Sequence, residues 1–512
     1  MKVYLSTEGT YPFVVGGVST WADLLVRGLP YHEFHVAAIV DNPFYRLAFD
    51  LPPNVTLQPV PLWGSEMAEE YLRVPGSWRR AWRTSPTEVR RYFLPCWEPF
   101  ISALASREAN PAALGDALAE VAKFAERHDL RRALASRATW LVMLDQLRAN
   151  ALMARTSTKG AIDFGRALFR FLLPLSAPIP RCDVVHTSAA GLCALPAVVA
   201  KYRYGTPMVL TEHGIYLRER FMALAPKPVE EKFLLVNFFR AVTELAYREA
   251  DILTPVCGYN AGWEAALGVD PQRVRVIYNA SNDVALSALP LRPPPGPPTI
   301  GYVGRIDPLK DVVTLIRAFS LVRKAVPTAR LLIWGPASSQ SYLAHCKKLA
   351  SSLDLWDDGD GLEPSALSFE GPTDDLPAAY GACQVIALSS VTEGFPYTVV
   401  EAMLAARPTV ATDVGGVSEA LGGIRLGESG PGLLVEPGDP RALANALSAV
   451  LLAPEPERLI VGLALRERAL ERFGVVGFLS AYAEVYQQLA GNLPSHFAPS
   501  EFPPSQFAAA SP

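Results

Sequence analysis

The sequence predicts an α/β protein of two halves, each a parallel sheet wrapped by helices. Three observations carry that prediction. The chain has 512 residues, more than one hydrophobic core can hold. Short β-rich runs alternate with segments of helical period, once near the start and again after residue 298. A proline-rich stretch, LSALPLRPPPGPP at 286–298, separates the two series and reads as a semi-rigid linker.

The first series opens with MKVYLST as a strand, EGTYPFVVGG as a turn-rich loop, VSTWADLLVRGL as a helix and FHVAAIV as a second strand. This is a βαβ unit with Gly16 and Gly17 at the mouth of its helix. From about 64 to 180 the rhythm breaks into long Ala- and Arg-rich segments of helical pattern, expected to be an insertion. Strand character returns at CDVVHTS, PMVLTEHG, ADILTPV and VRVIYNA. The second series runs PTIGYVGRI, a helix from Asp311, ARLLIWGP, a helix near 341–355 and LSFEGP. It continues through QVIALSS, a helix after Glu393, RPTVATDVGG and GLLVEP. Repeated βα units with right-handed crossovers make each half Rossmann-like. The expected domains are 1–285, a linker at 286–298, 299–470, a helix at 471–490 returning to the first domain, and a disordered tail at 491–512.

Composition narrows the function classes. Against 47 Lys and Arg stand 51 Asp and Glu, a net charge of −4, which gives no sign of a general nucleic-acid binder. The six cysteines, Cys96, Cys182, Cys193, Cys257, Cys346 and Cys383, show no metal-ligand spacing and read as buried hydrophobes of a reducing compartment. The start has too short an apolar run for a signal peptide, and no uncharged stretch approaches the roughly 18 residues of a membrane span. A cytoplasmic protein is expected, with peripheral association at the inner membrane left open.

In open α/β sheets ligands bind at the carboxyl ends of strands, so the loops there carry the candidates. GYVGRIDPLKDVVTL places Arg305 and Lys310 between a strand and a helix, a pair suited to a diphosphate. In SSVTEGFPYTVVEAM, Glu393 precedes a helix and Glu401 lies just inside it, with Pro396 suited to the first turn. The N–H groups of Gly394, Phe395, Tyr397 and Thr398 can face an anion there, while each glutamate suits the hydroxyls of a sugar or a ribose. Gly301 and Gly304 do not make the dinucleotide fingerprint.

The Glu393-to-Glu401 spacing resembles the EX7E motif of retaining GT-B glycosyltransferases of family GT4, and Arg305 with Lys310 resembles their diphosphate-binding pair. More narrowly, TEGTYPFVVGGVSTW and LTEHGIYLRER resemble the cytoplasmic glycosyltransferase of Pel exopolysaccharide biosynthesis. The resemblance covers nearly the whole chain. It implies a GT-B fold, two Rossmann-like domains whose parallel sheets face a central cleft, and no cofactor beyond a nucleotide-sugar donor, UDP-glucose. It implies that Glu393 contacts donor sugar hydroxyls and Glu401 the ribose, while Arg305 and Lys310 neutralise the departing diphosphate. Gly16 and Gly17 would admit the diphosphate, His213 would lie by the transferred sugar, and Gly371 and Pro372 near the base. The implied partners are a glycan acceptor and an inner-membrane polysaccharide synthase complex, with no metal ligand. Two alternatives stay open: GT-B chemistry on another donor (epimerase or ADP-glucose synthase-like), and a non-catalytic nucleotide-sugar-binding scaffold.

Weaker signals complete the reading. Glu8 and His186 are second-tier acceptor candidates, with strand-end packing the expected role of His186. The DxD in WDDGD at 356–360 reads as a surface loop. RVPGSWRRAWRTSPTEVRRYF, at 73–93, reads as solvated helix with its aromatics turned inward, a membrane or partner contact being the other reading.

Overall fold

Strands buried on both faces need near-continuous apolar runs, and the chain supplies them twice. The computed structural model describes residues 1–41, 44, 46–62, 77–105, 110–149, 156–281, 284–356, 365–426 and 432–491. The DxD of 356–360, apart from Trp356, and the tail from 492 onward lie outside the described residues.

The described chain divides into two compact units. The first holds residues up to Val256, Asn260–Ile277 and the chain from Ala481; the second holds Cys257–Tyr259 and Tyr278–Ser480. In the first, β1 (Lys2–Glu8), β2 (Glu33–Val40), β3 (Val55–Pro61), β4 (Val184–Thr187), β5 (Met208–Leu210) and β6 (Ile252–Leu253) form a sheet of order β3-β2-β1-β4-β5-β6. All of its neighbours are parallel. In the second, β7 (Thr299–Val303), β8 (Arg330–Trp334), β9 (Leu367–Gly371), β10 (Val385–Leu388), β11 (Thr409–Thr412) and β12 (Leu434–Val435) are ordered β12-β11-β10-β7-β8-β9, again parallel throughout. Numbered from its own first strand, each sheet has the order 3-2-1-4-5-6. The winding therefore reverses between β1 and β4, and between β7 and β10, which is where such sheets bind ligands.

Two differences from the sequence reading have simple causes. β3 was hidden by Pro59 and Pro61; it forms because it is the edge strand, where a missing N–H costs no ladder bond. VRVIYNA is no full strand. Val274 makes only an isolated bridge to Leu253, and the N–H groups of Arg275 and Ile277 donate to Leu253 and Pro255.

The insertion is helical where it is described, including Leu94–Ala105, Pro111–Arg127, Arg137–Ala149 and Thr158–Phe171. Asn110 and Ser157 cap two of these helices by accepting from Ala113 N and Gly160 N. Phe93, Trp97 and Phe100 stack in series and join the core that also buries Tyr4 and Val185 of the first sheet. The helix Val475–Ala490 gives its later residues to the first unit, where the Trp21 indole N–H donates to the Tyr482 hydroxyl at 3.0 Å. No helix among the described residues is long and apolar enough to cross a membrane.

Candidate active site

In the second unit the reversal point brings the loop after β7 beside the loop after β10. The first loop leaves Val303, exposes the Arg305 side chain, and enters a short turn at Pro308–Lys310. Asp311, with φ of +46°, caps the following helix Val312–Ala325 by accepting from Thr314 N at 3.1 Å. The two loops are stitched together: Val391 N donates to Leu309 O at 2.8 Å and the Ser389 hydroxyl to Lys310 O at 2.9 Å. This delivers the Lys310 ammonium to Glu393 Oε1 at 2.6 Å, an oxygen that also accepts from the Ser390 hydroxyl.

The Lys310–Glu393 pair is well shielded, with 22% and 7% of the side chains exposed. Desolvation offsets most of the attraction in such a pair, so it stabilises the fold little; removing one partner strands the other. Its consequence is positional. A cation and an acceptor-only carboxylate are held in fixed register at a sheet's ligand-binding edge.

Pro396 stands at the N-cap of helix Tyr397–Leu404 rather than within its first turn, in extended conformation. Among the described residues, the N–H groups of Gly394, Phe395 and Thr398 have no protein acceptor, as expected before and in a first helical turn. The Thr398 hydroxyl donates to Val303 O at 2.9 Å, tying the helix start to the end of β7. One turn on, Glu401 Oε2 accepts from the buried Tyr380 hydroxyl at 2.7 Å. Burial first, and then the Glu401 charge, raises the Tyr380 pKa well above its usual value, so the phenol stays a donor. Gly371, with φ of +80°, ends β9, and its carbonyl accepts from Gly335 N at 2.7 Å.

Several residues that hold this loop escaped the sequence reading. A side chain at Gly415, φ +58°, would lie 2.1 Å from Glu393 O. At Gly416 it would lie 2.7 Å from Phe395, and Gly416 N donates to Gly394 O at 2.7 Å. This glycine pair lets the β11 loop back directly onto residues 393–395. Glu419 accepts from the N–H groups of Gly258 and Tyr259 at 2.7 and 2.8 Å, and from the Tyr278 hydroxyl at 3.2 Å. The GG run in DVGG was the only available signal for the clamp; nothing in the sequence marked Tyr380 or Glu419.

The first unit treats its candidates differently. Gly16, in extended backbone, is the N-cap of helix Gly17–Gly28, and a Cβ there would meet nothing within 4 Å. Glu8 is engaged by the fold: Oε2 accepts from Leu192 N at 2.7 Å and Oε1 from the Tyr216 hydroxyl at 3.0 Å. His186 is fully buried, with Nδ1 on the Tyr486 hydroxyl at 2.7 Å and Nε2 on the Thr211 hydroxyl at 2.8 Å. Both nitrogens are taken, which leaves it the packing role and no atom for an acceptor.

His213 lies just past β5 with its ring 4.7 Å from the Trp21 ring, edge to face. Its Nε2 is shielded and has no hydrogen-bond partner among the described residues. Burial lowers its pKa to about 3, so the imidazole is neutral at ordinary pH. Its neighbour Glu212 is buried, accepts from Tyr216 N at 2.8 Å, and has its pKa pushed well above the usual range by desolvation. Glu264 is also buried, and burial raises its pKa to about 8.

All six cysteines are free thiols. No cluster of His, Cys, Asp and Glu among the described residues has the make-up of a metal site.

Residues 1–272 match the family described as "Domain of unknown function (DUF3492)", and residues 297–452 match "Glycosyl transferases group 1". D-inositol 3-phosphate glycosyltransferases are similar in sequence. The protein from Salinispora arenicola is 29% identical over 288 residues, covering 52% of this chain and 61% of its own length. That from Salinispora tropica is 30% identical, covering 52% and 56%. That from Rhodococcus erythropolis is 30% identical over 325 residues, covering 59% and 67%. The chain thus spans under two thirds of the length of the two Salinispora relatives. Among solved structures, Anabaena HepE with UDP and glucose matches with TM-score 0.54 and 17% identity, covering 94% of this chain and 98% of its own. Sucrose-phosphate synthase from Thermosynechococcus elongatus matches with TM-score 0.58 and 17% identity, covering 95% and 98%. At that identity the likeness establishes the fold, which is GT-B.

Proposed function

The chain belongs to the DUF3492 family and, with its group 1 domain, to the glycosyltransferases, and on that premise we propose that it moves a hexose from a nucleoside-diphosphate sugar to a glycan acceptor. The observation that carries the reading is the Lys310–Glu393 contact at 2.6 Å, set at the reversal point of the second sheet beside a helix N-terminus. Arg305, Lys310 and the N–H groups before the helix neutralise the charge that grows on the diphosphate, and such preorganised donors need no divalent metal. Glu393 accepts from hydroxyls of the transferred sugar and Glu401 from the ribose. Gly371 and Pro372 face the base, and Gly16 and Gly17 leave room for the diphosphate.

The resemblance to family GT4 supports retention of anomeric configuration. In that reading the sugar C1–oxygen bond to the diphosphate breaks on the face where the acceptor oxygen bonds to C1. The acceptor proton passes to the leaving phosphate, and neutral His213 positions the sugar. UDP-glucose is the proposed donor, supported by the TEGTYPFVVGGVSTW and LTEHGIYLRER stretches, which resemble PelF, and by the UDP-glucose bound in Anabaena HepE. A Pel-type exopolysaccharide is the proposed product, made with a membrane synthase complex.

Calorimetry with UDP tests the assignment. UDP binding should persist in chelator and weaken by about tenfold or more in Lys310→Ala and Glu401→Ala. Unchanged affinity in both variants ends it.

A further inference from the structure

The helical insertion carries an exposed aromatic and basic face that the transferase reading does not use. Trp78 and Trp82, one turn apart on helix Ser77–Arg83, are 69% and 83% exposed. The sequence reading had the aromatics of 73–93 turned inward; that holds for Phe93, at 0% exposed, but Trp78, Trp82 and Tyr92 are exposed. The helix is not loosely attached. Its other face is fixed by Arg80, which donates to Ala125 O at 3.1 Å, and by Arg132, which donates to Ala81 O at 2.7 Å. Thr84 follows, buried, its hydroxyl accepting from Asp129 N at 2.8 Å. Two indoles are thus held in water by a helix whose orientation is set from behind.

The charge along this stretch is mostly positive. Between Trp78 and Tyr92 there are five arginines, at 79, 80, 83, 90 and 91, and one acid, Glu88. Glu88 is occupied by His128 at 3.4 Å, and Arg80 by its carbonyl, which leaves Arg79, Arg83, Arg90 and Arg91 exposed. The Arg79 guanidinium lies over the Trp78 ring at 5.1 Å, and that of Arg91 over Tyr92 at 5.2 Å. Indoles partition to the boundary between headgroups and acyl chains, while guanidinium groups fork onto phosphate oxygens at the same depth. A protein partner would need a matching acidic surface and two indole-sized recesses; an anionic bilayer offers both chemistries along its whole plane.

We infer that the exposed indoles and guanidinium groups of helix Ser77–Arg83 (Trp78, Trp82, Arg79, Arg83), with Arg90 and Arg91 just after it, dock the chain on an anionic phospholipid surface. It goes beyond the transferase reading and does not depend on it.

The test uses the full chain with vesicles of phosphatidylcholine, with and without phosphatidylglycerol, in a flotation assay. The chain should float with phosphatidylglycerol vesicles, remain behind with pure phosphatidylcholine, and release as salt is raised. Arg79→Glu/Arg83→Glu and Trp78→Ser/Trp82→Ser should each lower the partition coefficient by about tenfold or more. Far-ultraviolet circular dichroism and UDP affinity should be unchanged in both. Flotation retained in the double variants, or none with any vesicle, overturns the inference. So does a dimer in sedimentation velocity that Trp78→Ser/Trp82→Ser dissolves, which gives the face to a second copy. Hydrogen-exchange protection of 77–92 by a purified protein partner, without protection by vesicles, overturns it in favour of that protein.

Discussion

The two sheets share one strand order yet manage polar groups at their carboxyl ends in opposite ways. In the second unit the groups are paired side chain to side chain: Lys310 on Glu393, and Glu401 under the Tyr380 hydroxyl. In the first, His186 and His213 are shielded and held neutral near pKa 3 by desolvation, and Glu8 is taken up by donors of the fold itself. A common topology therefore decides where a ligand goes, not how it is held. An ion pair at a sheet edge suits a charged ligand, while neutral donors and acceptors in a shielded setting suit an uncharged one.

The sharpest way to break this comparison is through glycine. Gly415 sits at φ +58° with Glu393 O only 2.1 Å from any added Cβ, so Gly415→Ala forces backbone strain onto the loop that presents Glu393. A loss of about 3 kcal/mol of stability and about tenfold in UDP affinity is expected, read by denaturant melts and calorimetry. Gly16→Ala is the control from the other sheet. Its Cβ meets nothing within 4 Å, so its melting should match the parent. Equal melting of the two variants contradicts the clamp.

Burial in the first unit predicts a pH dependence of known sign. Both oxygens of Glu264 lack partners among the described residues, as do the Tyr247 hydroxyl and Asn260 Oδ1. Burial raises the Glu264 pKa from 4.5 to about 8, so in that window the folded chain keeps a proton that the unfolded chain has lost. Its contribution is complete below 4.5 and is lost as pH rises to about 8, with a slope of up to about 1.4 kcal/mol per pH unit. Glu264→Gln keeps the shape without the charge. It should flatten that slope and gain up to about 5 kcal/mol over the parent near pH 9. Parallel stability–pH curves for the two proteins exclude a neutral buried Glu264.

What the sequence disclosed and concealed follows from where each group lies. Both βα series were legible because buried parallel strands write themselves as apolar runs, and Lys310 and Glu393 stood out in strand-end loops. The contact between them was not legible, since 83 residues separate the pair and the stitching runs through Ser389 O–H and Val391 N–H. Glu264 belongs to helix Gly258–Ala266, and nothing in the sequence marked it; only tertiary packing takes it to 0% exposure. Trp78 and Trp82 misled in the other direction. Alternating Arg and Trp fits a half-buried helix, and it is Arg80 and Ala81, not the indoles, that face the bundle. Propensity and period locate elements; which side meets the core is settled by what else must be buried.

The finest probe of pairing is Tyr380, whose hydroxyl donates to Glu401 at 2.7 Å from a fully buried ring. Tyr380→Phe keeps the ring and deletes one charge-assisted hydrogen bond to the proposed ribose-binding carboxylate. UDP affinity should fall about fivefold, close to 1 kcal/mol. If the phenol acts through Glu401, the double variant Tyr380→Phe/Glu401→Ala should bind UDP no more weakly than Glu401→Ala alone, because the two residues share one function. Additive losses would instead mean that Tyr380 supports the fold independently. The matching change in the first unit, Tyr486→Phe, removes the hydroxyl on His186 Nδ1 and should lower melting while leaving UDP affinity as it was. A pair held for a ligand and a pair held for a core then separate by readout: one moves binding, the other stability.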